Sequence, residues 1–154
     1  MLELRKRSLF SNEYIAEENG VVVAELSQSF WRNRGEIRVE GVRMRLKKRG
    51  ILRDTFTLLD DDVPLVSVEQ SNVIGSKLVF NCEGRNFEIC RKAWYSSTLL
   101  VKCEGEVVGS VRSRGMFSSG AIAELPTDLS IAIRVFIAWI AMVRWAAAAA
   151  AAGA

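Results

Sequence analysis

Histidine is absent from this chain of 154 residues. Its absence removes Ser-His-Asp and Cys-His catalysis, imidazole metal ligands and the usual general base near neutral pH. The phosphate-cradling patterns G-x-x-x-x-G-K-[ST] and G-x-G-x-x-G are missing, as is H-E-x-x-H. Cysteine is scarce and odd in number. Cys82, Cys90 and Cys103 show no C-x-x-C spacing, so neither a disulfide framework nor a zinc site is implied. Each lies in an apolar segment, which points to buried, reduced thiols and a cytoplasmic setting. The first seven residues carry charge with no apolar stretch behind them, unlike a signal peptide. What remains open to catalysis is a carboxylate pair, whose separation a sequence does not state. The expectation is a binding module without cofactor, metal or catalytic residue.

What is abundant is short apolar alternation broken by turns. Reversals fall at Glu18-Asn19-Gly20, Glu40-Gly41, Asp60-Asp61-Asp62, Glu83-Gly84 and Glu104-Gly105. Positions 20, 41, 62, 84 and 105 are 21 or 22 residues apart. Between them, Val42, Met44 and Leu46 alternate with Arg43, Arg45 and Lys47, and Leu78, Phe80 and Cys82 with Lys77, Val79 and Asn81. A period of two marks half-buried strands, and Asn-Gly or Glu-Gly suits hairpins that need positive φ. Hairpins are expected near 13–27, 37–48, 53–69, 77–91 and 97–113, with further strands near 3–10 and 120–124. The total is about twelve, joined as an antiparallel meander in one domain spanning 1–154.

The chain closes with Asp128–Ala152, a helical stretch whose apolar residues cover every direction around the axis. Thr127 or Asp128 is the expected N-cap. Ala146–Ala152 extends the helix, alanine being the best helix former. A helix apolar all round is buried in a core or crosses a membrane. Arg134 and Arg144 leave only Val135–Val143 free of charge, far short of the roughly twenty residues of a span. A sheet of twelve strands encloses a lumen wider than side chains alone fill, and a helix about 10–12 Å across fits it. The expected fold is therefore a mainly β, closed antiparallel barrel with one buried C-terminal helix through its centre. A tail anchor made by the same helix is the alternative.

Charge is unevenly placed. Residues 32–53 hold nine Lys/Arg against Glu36 and Glu40, a net of +7, whereas the remaining twelve bases and sixteen acids sum to −4. A basic stripe on an acidic body indicates an anionic partner, lipid headgroup or nucleic acid, or else a merely solvated strand face. Arg43, Arg45, Lys47 and Arg49 alternate and would share one face. Residues 42–49 contain no aromatic side chain for bases to stack on, so no nucleic acid is expected. Asp60-Asp61-Asp62 lacks the spacing of a calcium loop and reads as a solvated hairpin tip. Trp31 and Trp94-Tyr95 fall in loops or at strand ends, where they either anchor at a membrane interface or cap the barrel; capping is the simpler expectation.

The order of hairpins, followed by Glu104-Gly-Glu-Val-Val-Gly-Ser-Val111, Leu125-Pro-Thr-Asp-Leu129 and a helix bearing Phe136-Ile-Ala-Trp139, resembles the tubby C-terminal-like superfamily. That group takes in tubby domains, phospholipid scramblases, LURP-one-related proteins and small bacterial proteins, to the last of which this chain is most similar. The resemblance implies a twelve-stranded barrel threaded by its C-terminal helix. It also implies phospholipid binding through basic residues alternating on strands, as Arg43, Arg45 and Lys47 do, peripheral on a membrane. The other reading of function is a protein-interaction module whose partner is unknown.

Overall fold

The structure is a computed structural model and describes residues 1–8, 10–29, 33–72, 75–115 and 120–153. Twelve strands run in order around a closed antiparallel barrel. They are β1 (Leu2–Lys6), β2 (Glu13–Glu18), β3 (Val21–Ser29), β4 (Arg34–Val39), β5 (Val42–Arg49) and β6 (Thr55–Asp60). The second half is β7 (Val63–Gln70), β8 (Leu78–Cys82), β9 (Arg85–Arg91), β10 (Leu99–Cys103), β11 (Glu106–Ser113) and β12 (Gly120–Glu124). Pairing of β1 with β12, Leu2 opposite Ala123, closes the ring and leaves no edge. The expected fold class is what the chain adopts.

Two successive residues of positive φ make each tight turn: Asn19-Gly20, Glu40-Gly41, Asp61-Asp62, Glu83-Gly84 and Glu104-Gly105. Such turns match the right-handed twist of their strands and hold hairpin register. Cys82 thus faces Arg85, and the three cysteines are free. Cys82 is buried, which pushes its thiol pKa up, whereas Cys90 and Cys103 are half-buried.

The helix α1 (Ile131–Ala152) enters at the tight-turn end and leaves at the other. Its N-cap is Ser130, not Thr127 or Asp128: Ser130 Oγ accepts the Ile133 N–H at 3.3 Å. A turn precedes it, closed by Leu129 N–H to Pro126 O at 3.2 Å, and Leu129 is buried. Asp128 is thereby turned to Arg85, 2.8 Å away. Within the lumen, Val135 to Val143 are buried without a break. Trp139 lies edge-on to Phe56 at 5.8 Å and alongside Phe136 at 6.2 Å. The segment a tail anchor would need is already inside the barrel, while residues 147–153 stand exposed beyond it.

Arg134, within the first turns of α1, has a side chain only 7% exposed. It is held by Glu18 from the β2 end, and its Nε donates to Leu129 O at 3.1 Å. The guanidinium beside Glu18 keeps that carboxyl below its ordinary value.

Closure of the ring makes one glycine hard to replace. Gly120 starts β12 at φ +139°, and a Cβ there would lie 1.8 Å from Leu4 O. Gly120→Ala is expected to lose at least about 1–3 kcal/mol from the backbone conformation alone, before the clash with β1. Urea unfolding followed by far-UV circular dichroism measures it.

Candidate functional site

Arg43, Arg45, Lys47 and Arg49 do point outward from β5, while Met44, Leu46 and Lys48 point inward. Period two separates them, as expected of a strand with one buried face. The neighbouring strands then sort the four into two kinds. Arg43 Nε lies 3.7 Å from Glu36 Oε1 of β4, and Arg45 pairs with Asp62 of the β6–β7 turn. Asp62 is therefore an ion-pair partner as well as a hairpin-tip residue. Lys47 and Arg49 have no ion pair among the described residues, and neither has Arg34, which stands directly opposite Lys47 across the β4–β5 ladder. Like charges directly opposite one another in a sheet are destabilising. An arrangement that puts Arg34 against Lys47 and leaves both unpaired is one an incoming anion would relieve.

These three cations border a cavity of about 660 Å³ at the outer ends of β3, β4 and β5. Ser27, Ser29, Asn12 and Asn33 contribute polar groups to the lining, and Glu36, already facing Arg43, contributes one carboxylate. At its inner side lies Gln28, 4% exposed. Gln28 Oε1 accepts the Trp139 indole N–H at 2.9 Å, while its Nε2 has no partner among the described residues. A buried amide N–H without an acceptor costs roughly 1–3 kcal/mol and calls for an explanation. Gly35 lies between Gln28 and Leu46: a Cβ at this position would come within 3.0 Å of Ser27 O and 3.2 Å of Leu46 Cδ1.

Sequence reasoning named Arg43, Arg45, Lys47 and Arg49 but missed Arg34 and Gln28. Arg34 belongs to another strand, and only register sets it beside Lys47. Gln28 carried a legible signal: it follows Ala24 and Leu26 on the inward face of β3, a polar residue where the alternation asks for an apolar one. Lys48 turns inward, 18% exposed, and stands 3.9 Å from Asp54, so the run 47–49 is not one cationic surface.

Charge is also divided along the barrel axis. The six connections at the tight-turn end carry Glu40, Asp61, Asp62, Glu83, Glu104 and Asp128 and no base. The sequence of the six at the opposite end carries Arg7, Arg32, Arg53, Lys77, Lys92 and Arg114 against a single acid, Asp54. Only part of the +7 segment belongs to the basic end: Arg34, Lys47, Arg49 and Arg53 lie there, whereas Arg38 and Arg43 flank the Glu40-Gly41 turn at the tight-turn end. Arg144 reaches the basic end from α1. Its Nη1 lies 3.4 Å from Ser76 O, its Nη2 is 3.4 Å from Asp54 Oδ2 but out of line for a hydrogen bond, and its Nε has no partner among the described residues. Burial lowers its pKa, Asp54 opposes that, and the nearby Arg91 adds to it.

The two exposed aromatic residues of the β9–β10 loop do not cap the barrel. Trp94 is 86% and Tyr95 78% exposed, edge to face with ring centroids 5.5 Å apart. Trp31 lies outside the described residues. No three His, Cys, Asp or Glu side chains converge as a metal site among the described residues. No family model, curated protein or solved structure matches the chain.

Proposed function

We propose that this chain is a non-catalytic, tubby-like binding module that holds an anionic phospholipid headgroup at a membrane surface. The observation that carries the reading is the unpaired trio Arg34, Lys47 and Arg49 around the polar cavity. A phosphate offers acceptors to arginine and lysine donors and relieves the Arg34–Lys47 repulsion. Arg45 also lines the cavity and Arg43 adds to the general potential, but both already have carboxylate partners.

Each basic residue near an anionic leaflet contributes about 1 kcal/mol. Replacing Arg34, Lys47 and Arg49 together with Gln is therefore expected to weaken binding to phosphatidylserine vesicles by about 3 kcal/mol, more than a hundredfold. The pair Arg43→Gln and Arg45→Gln should have a clearly smaller effect. Surface changes of this kind seldom alter stability by more than about 0.5 kcal/mol, so folding is retained. Sedimentation with vesicles at two salt concentrations checks both expectations, since screening over about 8 Å at physiological salt makes the attachment salt-sensitive. Equal binding to neutral and anionic vesicles at low salt would refute the reading and favour a protein partner.

A further inference from the structure

The five most exposed large apolar side chains among the described residues are Phe10, Ile51, Leu52, Trp94 and Tyr95, from 73% to fully exposed. All five lie in connections at one end of the barrel: Phe10 between β1 and β2, Ile51-Leu52 between β5 and β6, Trp94-Tyr95 between β9 and β10. Other exposed aliphatic residues, such as Val21 and Val63, lie in strands beside the tight turns and reach at most 62%. Loop tips in contact with water usually carry small or polar residues. Three separate loops presenting large apolar ones at a single end is a feature that asks for a partner.

The sequence repeats the feature with the period of the hairpins. Apolar pairs stand at 9–10, 30–31, 51–52, 73–74, 94–95 and 116–117, spaced 21 or 22 residues, one pair in each connection at this end. Leu9, Phe30-Trp31, Val73-Ile74 and Met116-Phe117 lie outside the described residues and enter by sequence position alone. The tight-turn connections contain no aromatic residue.

This is also the basic end. Arg7, Arg53, Lys92 and Arg114 sit within one to three residues of the apolar pairs. Arg7 and Arg114 are in exposed or half-exposed ion pairs with Glu13, Glu25 and Glu3, and Arg53 and Lys92 are without an ion pair among the described residues. The acidic turns occupy the far end, and α1 emerges here with its exposed alanines. A lipid bilayer with an anionic surface answers each observation together. Its interface takes up Trp, Tyr and Ile tips, its headgroups attract the collar of bases, and it repels the opposite end. A protein partner would have to meet several separate tips around the helix exit. A bilayer, being planar and deformable, meets them without a matching shape.

We infer that the barrel docks end-on, its long-loop end inserted into the headgroup region of an anionic bilayer and its axis near the membrane normal. The inference rests on the phospholipid reading and adds a second contact to it. The cavity bordered by Arg34, Lys47 and Arg49 opens at the rim of this same end, where those strands begin or finish, so docking would bring it to the headgroup layer.

The test uses the full chain and vesicles of phosphatidylcholine and phosphatidylserine. Replacing Ile51, Leu52, Trp94 and Tyr95 together with Ser removes apolar surface and keeps every charge. We expect an unchanged circular dichroism spectrum and vesicle binding at least tenfold weaker. With brominated phosphatidylcholine in the vesicles, wild-type tryptophan fluorescence should be quenched, and Trp94→Ser should lose part of that quenching. Wild-type vesicle binding by the Ser variant, or binding without any bromine quenching, overturns end-on docking. If the Arg34, Lys47 and Arg49 variant alone then loses binding, the headgroup reading survives without it. Loss in the loop variant alone leaves docking standing and removes the headgroup site. If the loop variant abolishes self-association and leaves vesicle binding intact, the end is a protein interface and the inference fails.

Discussion

A chain ended after Pro126 is expected not to fold. The barrel of twelve strands has no other means of filling its lumen, since its inward side chains already meet those of α1. Removing α1 takes away Val135, Phe136, Ile137, Trp139, Ile140 and Met142, all 2% exposed or less. Truncating one large core residue to alanine costs about 2–5 kcal/mol, and a whole domain is stable by only about 5–15 kcal/mol. Six such losses exceed the total. Arg134 would go too, leaving Glu18 without its guanidinium, and Gln28 would lose the Trp139 N–H. Far-UV circular dichroism and hydrogen exchange of the truncated chain check this. A truncated chain that remains soluble and cooperatively folded, while the full chain needs detergent, would mean that α1 is a membrane span after all.

Glu18→Gln is expected to be the most damaging single polar substitution. Arg134 keeps its charge and is buried, with Leu129 O as the remaining strong acceptor. Breaking a fully buried ion pair by removing one partner costs about 3–5 kcal/mol, because the other charge is left uncompensated. Glu18 is only half-buried, so the lower end, about 3 kcal/mol, is expected. For a chain of this length that is a fall in Tm of roughly 10 °C. Adding Arg134→Met to Glu18→Gln should restore most of the loss, as a well-packed apolar group often replaces a buried pair without penalty. The pH dependence has a defined sign. The Arg134 hydrogen bond lowers the Glu18 pKa in the folded chain below its ordinary 4.5. The folded state therefore binds that proton less readily than the unfolded state, and the stabilisation is present above the unfolded value. It is lost as pH falls through the lower, folded value, and there the wild type and Glu18→Gln should converge. Thermal melts of both across pH 3–7 test this. A gap that persists undiminished at the acid limit would show that the pair is not its source.

Salt bridges on the outer wall deserve much less weight. Arg7, Arg38 and Glu25 form a cluster at 3.0–3.3 Å, but all three side chains are at least 41% exposed. Exposed pairs of this sort contribute about 0–1 kcal/mol. Ion pairs are more informative for function, since among the cations lining the cavity they mark Arg45 and Lys48 as already satisfied and leave Arg34, Lys47 and Arg49 available to a ligand.

The twelve strands, the turn positions and the central helix could all be read from the chain, and for local reasons. A period of two, residues tolerant of positive φ at Asn19-Gly20 or Glu83-Gly84, and a helix without a polar face are each written in consecutive residues. So was the outward alternation of Arg43, Arg45, Lys47 and Arg49. The helix start was misplaced because Asp128 is a good cap in isolation; the chain instead makes a turn that buries Leu129 and hands Asp128 to Arg85. Capping by Trp94 and Tyr95 was expected from their apolar character, yet they are exposed in a loop beyond the barrel wall. Only the tertiary structure decided which cations are free, because ion pairing depends on register and turn placement: Asp62 reaches Arg45 from another hairpin, and Arg34 faces Lys47 across a ladder. The sequence by itself determined that odd and even connections differ, one set acidic and short, the other basic and apolar. Closure of the meander into a barrel turned that alternation along the chain into two opposite ends, because each strand reverses direction and delivers every second connection to the same side.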